Sequence, residues 1–360
     1  MIPVTRTFMP PLEEYVEQLQ HIWSSGQLTN NGEAALSLNS AVSNYLGVQN
    51  LELMANGTLA LQLAIRALEL QGEIITTPFS YVATTNAILW EGCQPVFVDI
   101  DQNSLCIDPD LIEAAITKNT CGILATHVYG YPCAVEKIEA IARKHGLKVI
   151  YDAAHAFGAK LHGRSLAAFG DCSTLSFHAT KLFHSAEGGA VVAADAGIAK
   201  KLFLLSRFGH LGEDNYLSLG INAKMSELHA AMGLVMLPRV DEIIVERQKC
   251  SQWYDHYLQD CQLSRPQAPE GLQYNYAYYP VIFRDPQHMN RARMMLLENN
   301  ISPRRYFHPA LNTLPFLNQT QRYSCPIAES MAERVLSLPL FVGLPQETIR
   351  HVAGILRSCA

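Results

Sequence analysis

Ser176-Phe177-His178-Ala179-Thr180-Lys181, followed at once by Leu182-Phe183-His184-Ser185-Ala186-Glu187-Gly188-Gly189-Ala190-Val191-Val192, places a lysine between an apolar strand and a Gly-Gly turn. An amine attacks an aldehyde only when neutral, and a partly desolvated lysine near other positive groups has the lowered pKa this requires. A lysine beside a strand is by itself most often a surface charge. Two segments upstream give Lys181 a chemical context.

Leu147-Lys148-Val149-Ile150-Tyr151-Asp152-Ala153-Ala154-His155 reads as a buried parallel strand ending in an aspartate. Ligands of open α/β sheets sit beyond the carboxyl ends of the strands, so Asp152 is placed to face a cofactor. It suits a pyridinium nitrogen; the competing reading is an ordinary helix N-cap. Met54-Ala55-Asn56-Gly57-Thr58 opens a helical pattern running from Leu59 to Leu70. The free N–H groups and dipole of a helix start favour an anion. A phosphate site, an acid for a ring nitrogen and a lysine for an aldehyde, in that chain order, are three parts of one cofactor, pyridoxal 5'-phosphate (PLP).

Alternating short apolar runs and helical patterns predict βαβ units and a mostly parallel sheet. Strands are expected at Glu73–Thr77, Pro95–Ile100, Gly122–His127, Leu147–Asp152, Ser173–Phe177 and Ala190–Ala194, and helices at Leu59–Leu70, Thr84–Trp90, Pro109–Ile116 and Val135–His145. A long helical stretch follows from Ala223 to about Asp260, broken at Pro238 because proline bends or ends a helix. Beyond it, Tyr274–Phe283 reads as a strand and Asn290–Asn299, Pro326–Leu336 and Pro345–Leu356 as helices. The expected division is a large cofactor-binding domain at 1–245 and a smaller C-terminal α/β domain at 246–360.

The 360 residues, 49% hydrophobic, supply a substantial core, and a net charge of −6 gives no basic footprint for nucleic acid. The nine cysteines are odd in number and hold no C-x-x-C pair, so neither a disulfide framework nor a zinc ribbon is expected. No signal-peptide h-region and no bilayer-length apolar run occur, which points to the cytoplasm.

The chain resembles the DegT/DnrJ/EryC1/StrS sugar aminotransferases, PLP enzymes of fold type I (aspartate aminotransferase-like). The resemblance starts at Ser25-Gly26-Gln27-Leu28-Thr29-Asn30 and continues through Asn56-Gly57-Thr58 and Pro78-Phe79-Ser80-Tyr81-Val82-Ala83-Thr84-Thr85-Asn86-Ala87-Ile88. It takes in Pro95-Val96-Phe97-Val98-Asp99-Ile100-Asp101, His127-Val128-Tyr129-Gly130, the Asp152 and Lys181 segments, and Gly220-Ile221-Asn222-Ala223-Lys224-Met225-Ser226-Glu227. It implies that Lys181 is the Schiff-base lysine and moves the substrate proton, and that Asp152 pairs with the pyridine nitrogen. It further implies that Gly57, Thr58 and Ser176 hold the phosphate, that Tyr81 lies over the ring, and that Asn222 crosses a homodimer interface to the partner's phosphate.

Two positions depart from the commonest family pattern: His155 stands where many members have Gln, and His178-Ala179-Thr180-Lys181 where many have Tyr-Pro-Thr-Lys. His155 remains a cofactor contact, able to donate to the phenolic oxygen of PLP but with a charge expected to vary near neutral pH. The roles of His178 and His184 stay open between packing, capping and catalysis. The resemblance implies L-glutamate and a nucleotide-linked keto sugar as substrates. The branch it most resembles aminates C4 of dTDP-4-keto-6-deoxyglucose to give dTDP-4-amino-4,6-dideoxyglucose, an O-antigen or surface-polysaccharide precursor. Arg304, Arg305, Tyr306 and His308 would then face the sugar and its diphosphate, the arginines being either phosphate ligands or solvated charges. Alternatives are a UDP- or GDP-linked or 3-keto sugar acceptor, a non-catalytic PLP-binding regulator, a dehydratase, which Lys181 argues against, and a metal enzyme built on His127, His155, His178 and His184.

Overall fold

Seven strands form the central sheet of the computed structural model, which describes residues 1–318 and 323–359. They are β1 (Leu51–Met54), β2 (Glu73–Thr76), β3 (Gln94–Phe97), β4 (Thr120–Thr126), β5 (Lys148–Asp152), β6 (Cys172–Ser176) and β7 (Gly189–Ala193). The spatial order is β1-β7-β6-β5-β4-β2-β3, and only β7 runs against its neighbours. Because β1, β5 and β6 point the same way, Asn56, Asp152 and Ser176 leave the sheet along one rim. The antiparallel β7 begins at that rim, so the connection from β6 to β7 that carries Lys181 lies there too.

Side chains alternate across the strands. Ile75, Ile123, Val149, Tyr151 and Leu175 pack into one apolar cluster, Ile74, Leu124, Ile150 and Val191 into the opposite one. Both faces are covered, which is why these strands read as near-continuous apolar runs; each buried Ile or Leu contributes about 1.5–3 kcal/mol. A further cluster joins Cys250, Tyr254, Val281, Leu296, Leu336, Val352 and Leu356 in the C-terminal part. There Tyr279–Ile282 pairs antiparallel with Val335–Leu338.

Several sequence expectations change. β1 was missed because Glu52 interrupts its apolar pattern; the carboxylate tolerates its buried position because Arg207 lies 2.7 Å away. The helices Leu12–Ser25, Glu33–Leu46 and Ala196–Leu205 were missed as well. Of these, Glu33–Leu46 is capped from a distance: buried Glu227 accepts the backbone N–H groups of Gly32, Ala34 and Ala35 at 2.8, 2.8 and 3.3 Å. A Cβ on Gly32 would come 2.7 Å from that carboxylate, so a larger residue there has to push the cap aside.

The expected helix Pro326–Leu336 ends at Arg334 and continues as the strand Val335–Leu338. The expected strand Tyr274–Phe283 is confined to Tyr279–Ile282. Residues before it wrap the site, with Asn275 turned inward and Tyr276 in the left-handed region at φ 52. Pro238 sits in the 3-10 turn Leu237–Arg239 between the helices Glu227–Met236 and Val240–Leu258, the latter running unbroken through residue 245. All nine cysteines are free thiols, and among the described residues no helix is long and apolar enough to cross a membrane.

Candidate active site

Asn56 ends the β1 connection as an N-cap, its side chain accepting the Leu59 N–H at 2.9 Å, so the helix Gly57–Ala67 starts at the rim. The first N–H groups of a helix have no partner within it and carry its positive end. Opposite stands Ser176, the last residue of β6. A Cβ on Gly57 would lie 2.9 Å from the Ser176 Cβ, so only glycine lets this helix start approach the strand end. Backbone N–H groups of this helix start, the exposed Thr58 and the Ser176 hydroxyl are donors of the kind a phosphate takes.

Asp152 ends β5 and is buried. No helix follows it, so the N-cap reading fails; its Oδ1 instead accepts the Ala154 N–H at 3.1 Å and its Oδ2 the Thr84 hydroxyl at 2.8 Å. Burial raises its pKa above the usual carboxylate value, while Thr84, Ala154 and the charge of Lys181 oppose that rise. A cationic partner such as a pyridinium N–H would complete this half-satisfied carboxylate.

Lys181 lies in a tight turn closed by its own N–H to the His178 carbonyl at 2.8 Å and by Ser185 N–H to the Phe177 carbonyl at 2.9 Å. Burial pulls its amine below the ordinary lysine range, against the opposing influence of Asp152, Tyr306 and Tyr81. The neutral amine demanded by the sequence reading is therefore favoured by position.

His155 is buried, and its Nδ1 accepts the Tyr129 backbone N–H at 3.2 Å, which leaves Nε2 to carry the ring proton. Burial, then Lys181, hold its pKa well below 6.5. Burial thus favours the neutral imidazole, the state in which Nε2 can donate. Phe307 stacks on it at 5.5 Å and Tyr278 meets it edge-on at 4.9 Å. The neighbouring turn is strained to make the contact, since Tyr129 has φ 56, and Gly130 has φ +92 with a would-be Cβ 2.9 Å from the His155 carbonyl.

Tyr81 is the N-cap residue of the helix Val82–Trp90 and is 58% exposed at the same rim, so it is not an ordinary core tyrosine. Tyr306 faces Lys181 and Tyr278, and its carbonyl accepts the Tyr129 hydroxyl. Arg305 is held by Glu333 at 2.6 Å, and Glu333 also meets the His308 Nε2 at 2.8 Å. Arg304 lies over the Tyr306 ring at 5.4 Å. Asn222 is exposed, pairs with Arg207 in an antiparallel bridge and accepts from the Lys224 ammonium at 2.7 Å.

Each of the two open histidines has a local hydrogen-bond partner. His178 closes the lysine turn, its Nδ1 accepting from the Thr180 N–H at 3.2 Å. His184 is buried, with Nε2 2.8 Å from the Phe8 carbonyl and Nδ1 accepting from the Ala186 N–H at 3.3 Å. Among the described residues no three His, Cys, Asp or Glu side chains gather as a metal site requires. The sequence reading assigned no role to Thr84, Tyr129, Tyr278 or Asn275. The first two lay within motifs it had quoted, but nothing in their spacing marks which residue each touches.

A desolvated lysine facing a buried carboxylate, beside an anion cradle and a neutral imidazole donor, defines a PLP-type transferase site. The chain belongs to the DegT/DnrJ/EryC1/StrS aminotransferase family, whose model matches residues 12–357. It is 39% identical over 359 residues to a dTDP-4-amino-4,6-dideoxy-D-glucose transaminase from Shigella dysenteriae, covering 99% of this chain and 98% of that one. It is 34% identical to a UDP-N-acetyl-3-dehydro-alpha-D-glucosamine 3-aminotransferase from Acidithiobacillus ferrooxidans, with 99% and 96% covered. The structure of DesI in the presence of its TDP-sugar product superimposes with a TM-score of 0.94 at 33% identity, over 99% of this chain and 92% of that one. The protein is a PLP-dependent sugar aminotransferase of fold type I.

Proposed function

We propose that the protein transfers the amino group of L-glutamate to C4 of dTDP-4-keto-6-deoxyglucose, yielding dTDP-4-amino-4,6-dideoxyglucose for O-antigen or surface-polysaccharide synthesis in the cytoplasm. The full-length similarity to the Shigella transaminase carries this choice of substrate. Bound PLP supplies an electron sink for a substrate carbanion. Lys181 carries the cofactor and its Nζ moves the proton between substrate carbon and cofactor; Asp152 holds the proton of the ring nitrogen. Gly57, Thr58 and Ser176 bind the phosphate, His155 donates from Nε2 to the phenolic oxygen, and Tyr81 covers the ring.

In this reading a second copy completes the phosphate site with Asn222. Support comes from the exposed apolar side chains around it: Phe208, Leu211, Tyr216, Leu217, Leu219 and Ile221 are each more than a third exposed in the single chain. Tyr306 and Arg304 face the sugar, while Arg305 and His308 reach a diphosphate only by exchanging Glu333 for it. The division into 1–245 and 246–360 is part of the same proposal; the apolar cluster running from Cys250 to Cys359 supports it, although Phe307, Leu311 and Met331 pack with the large part.

The test is a half-reaction. The enzyme is converted to its amino form with glutamate, and dTDP-, UDP- and GDP-linked 4-keto-6-deoxy sugars and a UDP-linked 3-keto sugar are added separately while the cofactor absorbance is followed. Recovery of the original band with the dTDP sugar alone is expected. Recovery with the UDP-linked 3-keto sugar instead overturns the substrate assignment in favour of the activity named for the Acidithiobacillus relative. No response to glutamate overturns the catalytic reading and leaves a non-catalytic PLP-binding protein.

A further inference from the structure

We propose that Thr84, Ser80 and Thr126 form a one-way chain of hydroxyl hydrogen bonds that ends on Asp152 and keeps the proton it shares with the cofactor on the ring nitrogen. The inference rests on the reading of Asp152 as the partner of that nitrogen and adds three positioning residues to it.

The direction of the chain follows from counting protons. Thr84 Oγ1 lies 2.8 Å from Asp152 Oδ2, Ser80 Oγ 2.7 Å from Thr84 Oγ1, and Thr126 Oγ1 3.0 Å from Ser80 Oγ. An ionised carboxylate only accepts, so the single Thr84 proton points at Asp152. Thr84 must then accept from Ser80, whose proton is thereby used, and Ser80 must accept from Thr126. All three hydroxyls are buried, with 2% exposure or less, so water does not compete for them. Hydrogen bonds aligned head to tail in a low-dielectric interior polarise and strengthen one another.

The elements carrying them are arranged for this. Thr84 is in the first turn of the helix Val82–Trp90, whose positive end favours the carboxylate; Ser80 precedes that helix, and Thr126 ends β4 beside Asp152 at the end of β5. The titratable groups acting on Asp152 from other elements are Lys181, Cys133 and Tyr278. Of these only Lys181 brings a positive charge, and it is engaged in the chemistry. The Ala154 N–H and the hydroxyl chain are the constant donors that offset the burial of Asp152. Without them the carboxylate becomes more basic, draws the proton from the ring nitrogen and weakens the electron sink.

The test compares Thr84→Val, which keeps the shape and removes the hydroxyl, with Thr84→Ser and Ser80→Ala in the PLP-loaded enzyme. Thr84→Val is expected to lower kcat by roughly 10- to 100-fold, the scale of one charge-assisted hydrogen bond, and to move the pH midpoint of the visible cofactor band upward by about one unit. Ser80→Ala shifts both in the same direction by less, and Thr84→Ser restores both. A loss of packing alone lowers thermal stability without moving the band midpoint. Asp152→Asn, run in parallel, separates the two levels of the claim. If it abolishes turnover while Thr84→Val leaves the midpoint and kcat at wild-type values, the chain is overturned and Asp152 keeps its role. If Asp152→Asn itself behaves as wild type, the underlying reading of Asp152 is overturned.

Discussion

The backbone N–H of Tyr129 donates to Nδ1 of His155 at 3.2 Å, from a residue held at φ 56. A left-handed tyrosine costs about 1–3 kcal/mol and persists because the surrounding packing imposes it. Here it fixes the tautomer of an imidazole that burial keeps neutral. In the proposed reading the neutral His155 donates to the cofactor's phenolic oxygen as a side-chain amide N–H would. His155→Gln is expected to retain kcat within about tenfold, and the limbs of the pH–rate profile to stay in place. A limb near pH 6.5 that vanishes in His155→Gln contradicts the fixed-donor account.

Gly57 and Ser176 are in contact through the glycine's missing side chain. In Gly57→Ala the new Cβ meets the Ser176 Cβ at 2.9 Å, which either displaces Ser176 or opens the helix start, at a cost of about 1–3 kcal/mol. PLP affinity measured by titration of the apoprotein should fall by roughly 10- to 100-fold, since each 1.4 kcal/mol is tenfold. Ser176→Gly in the same chain relieves the clash but not the lost hydroxyl, so recovery is partial. Undiminished affinity in Gly57→Ala places the phosphate elsewhere.

Four buried histidines set the direction of the acid response: His127, His155 and His184, with His288 shifted the same way by burial. Burial pulls His127 down to about 3 and holds His155 well below, and His184 below, the usual 6.5. In the unfolded chain each binds a proton near pH 6.5; in the folded protein each binds one only at lower pH. Stability is therefore fully present above pH 6.5 and lost as pH falls below it, because the unfolded state binds more protons there. Thermal unfolding midpoints at pH 7.5 and 5.5 measure this. His127→Phe, which keeps a ring stacked on Tyr151, should flatten the difference, and an unchanged slope sinks the assignment.

Glu52 and Arg207 form a nearly buried pair at 2.7 Å, and Arg207 also bridges to the backbone of Asn222. Removing one partner strands the other, so Arg207→Ala is expected to cost about 3–5 kcal/mol. It also removes the side chain that anchors the segment bridged to Asn222 against β1, while the main-chain bridge itself remains. If the proposed dimer forms through this segment, sedimentation measurements should show the variant dissociating at concentrations where the wild type stays associated. A variant as stable and as associated as the wild type removes the pair from the account.

The rim of the sheet was legible in the sequence because its chemistry is local. Lys181, Asp152 and the Asn56-Gly57-Thr58 start each sit at the end of an apolar run, and parallel strands bring such ends together. What stayed hidden depends on contacts between distant segments. β1 reads as non-strand until Arg207 is seen to neutralise Glu52, and the Glu33–Leu46 helix has no capping side chain nearby because its cap, Glu227, is supplied from far along the chain. The burial that favours a neutral His155 was not legible because the imidazole's ordinary pKa says nothing of the aromatic shell formed by Tyr278 and Phe307. Val335–Leu338 followed a helix without a break in apolar pattern, and only its pairing with Tyr279–Ile282 makes it a strand.

The central claim is that Lys181 carries the cofactor. Borohydride reduction of the PLP-loaded enzyme, followed by digestion and peptide mass mapping, tests it directly. The account predicts the reduced cofactor attached to the peptide containing Lys181 and to no other, with attachment abolished in Lys181→Ala. Modification of a different lysine, or none in an enzyme that has bound PLP, contradicts it.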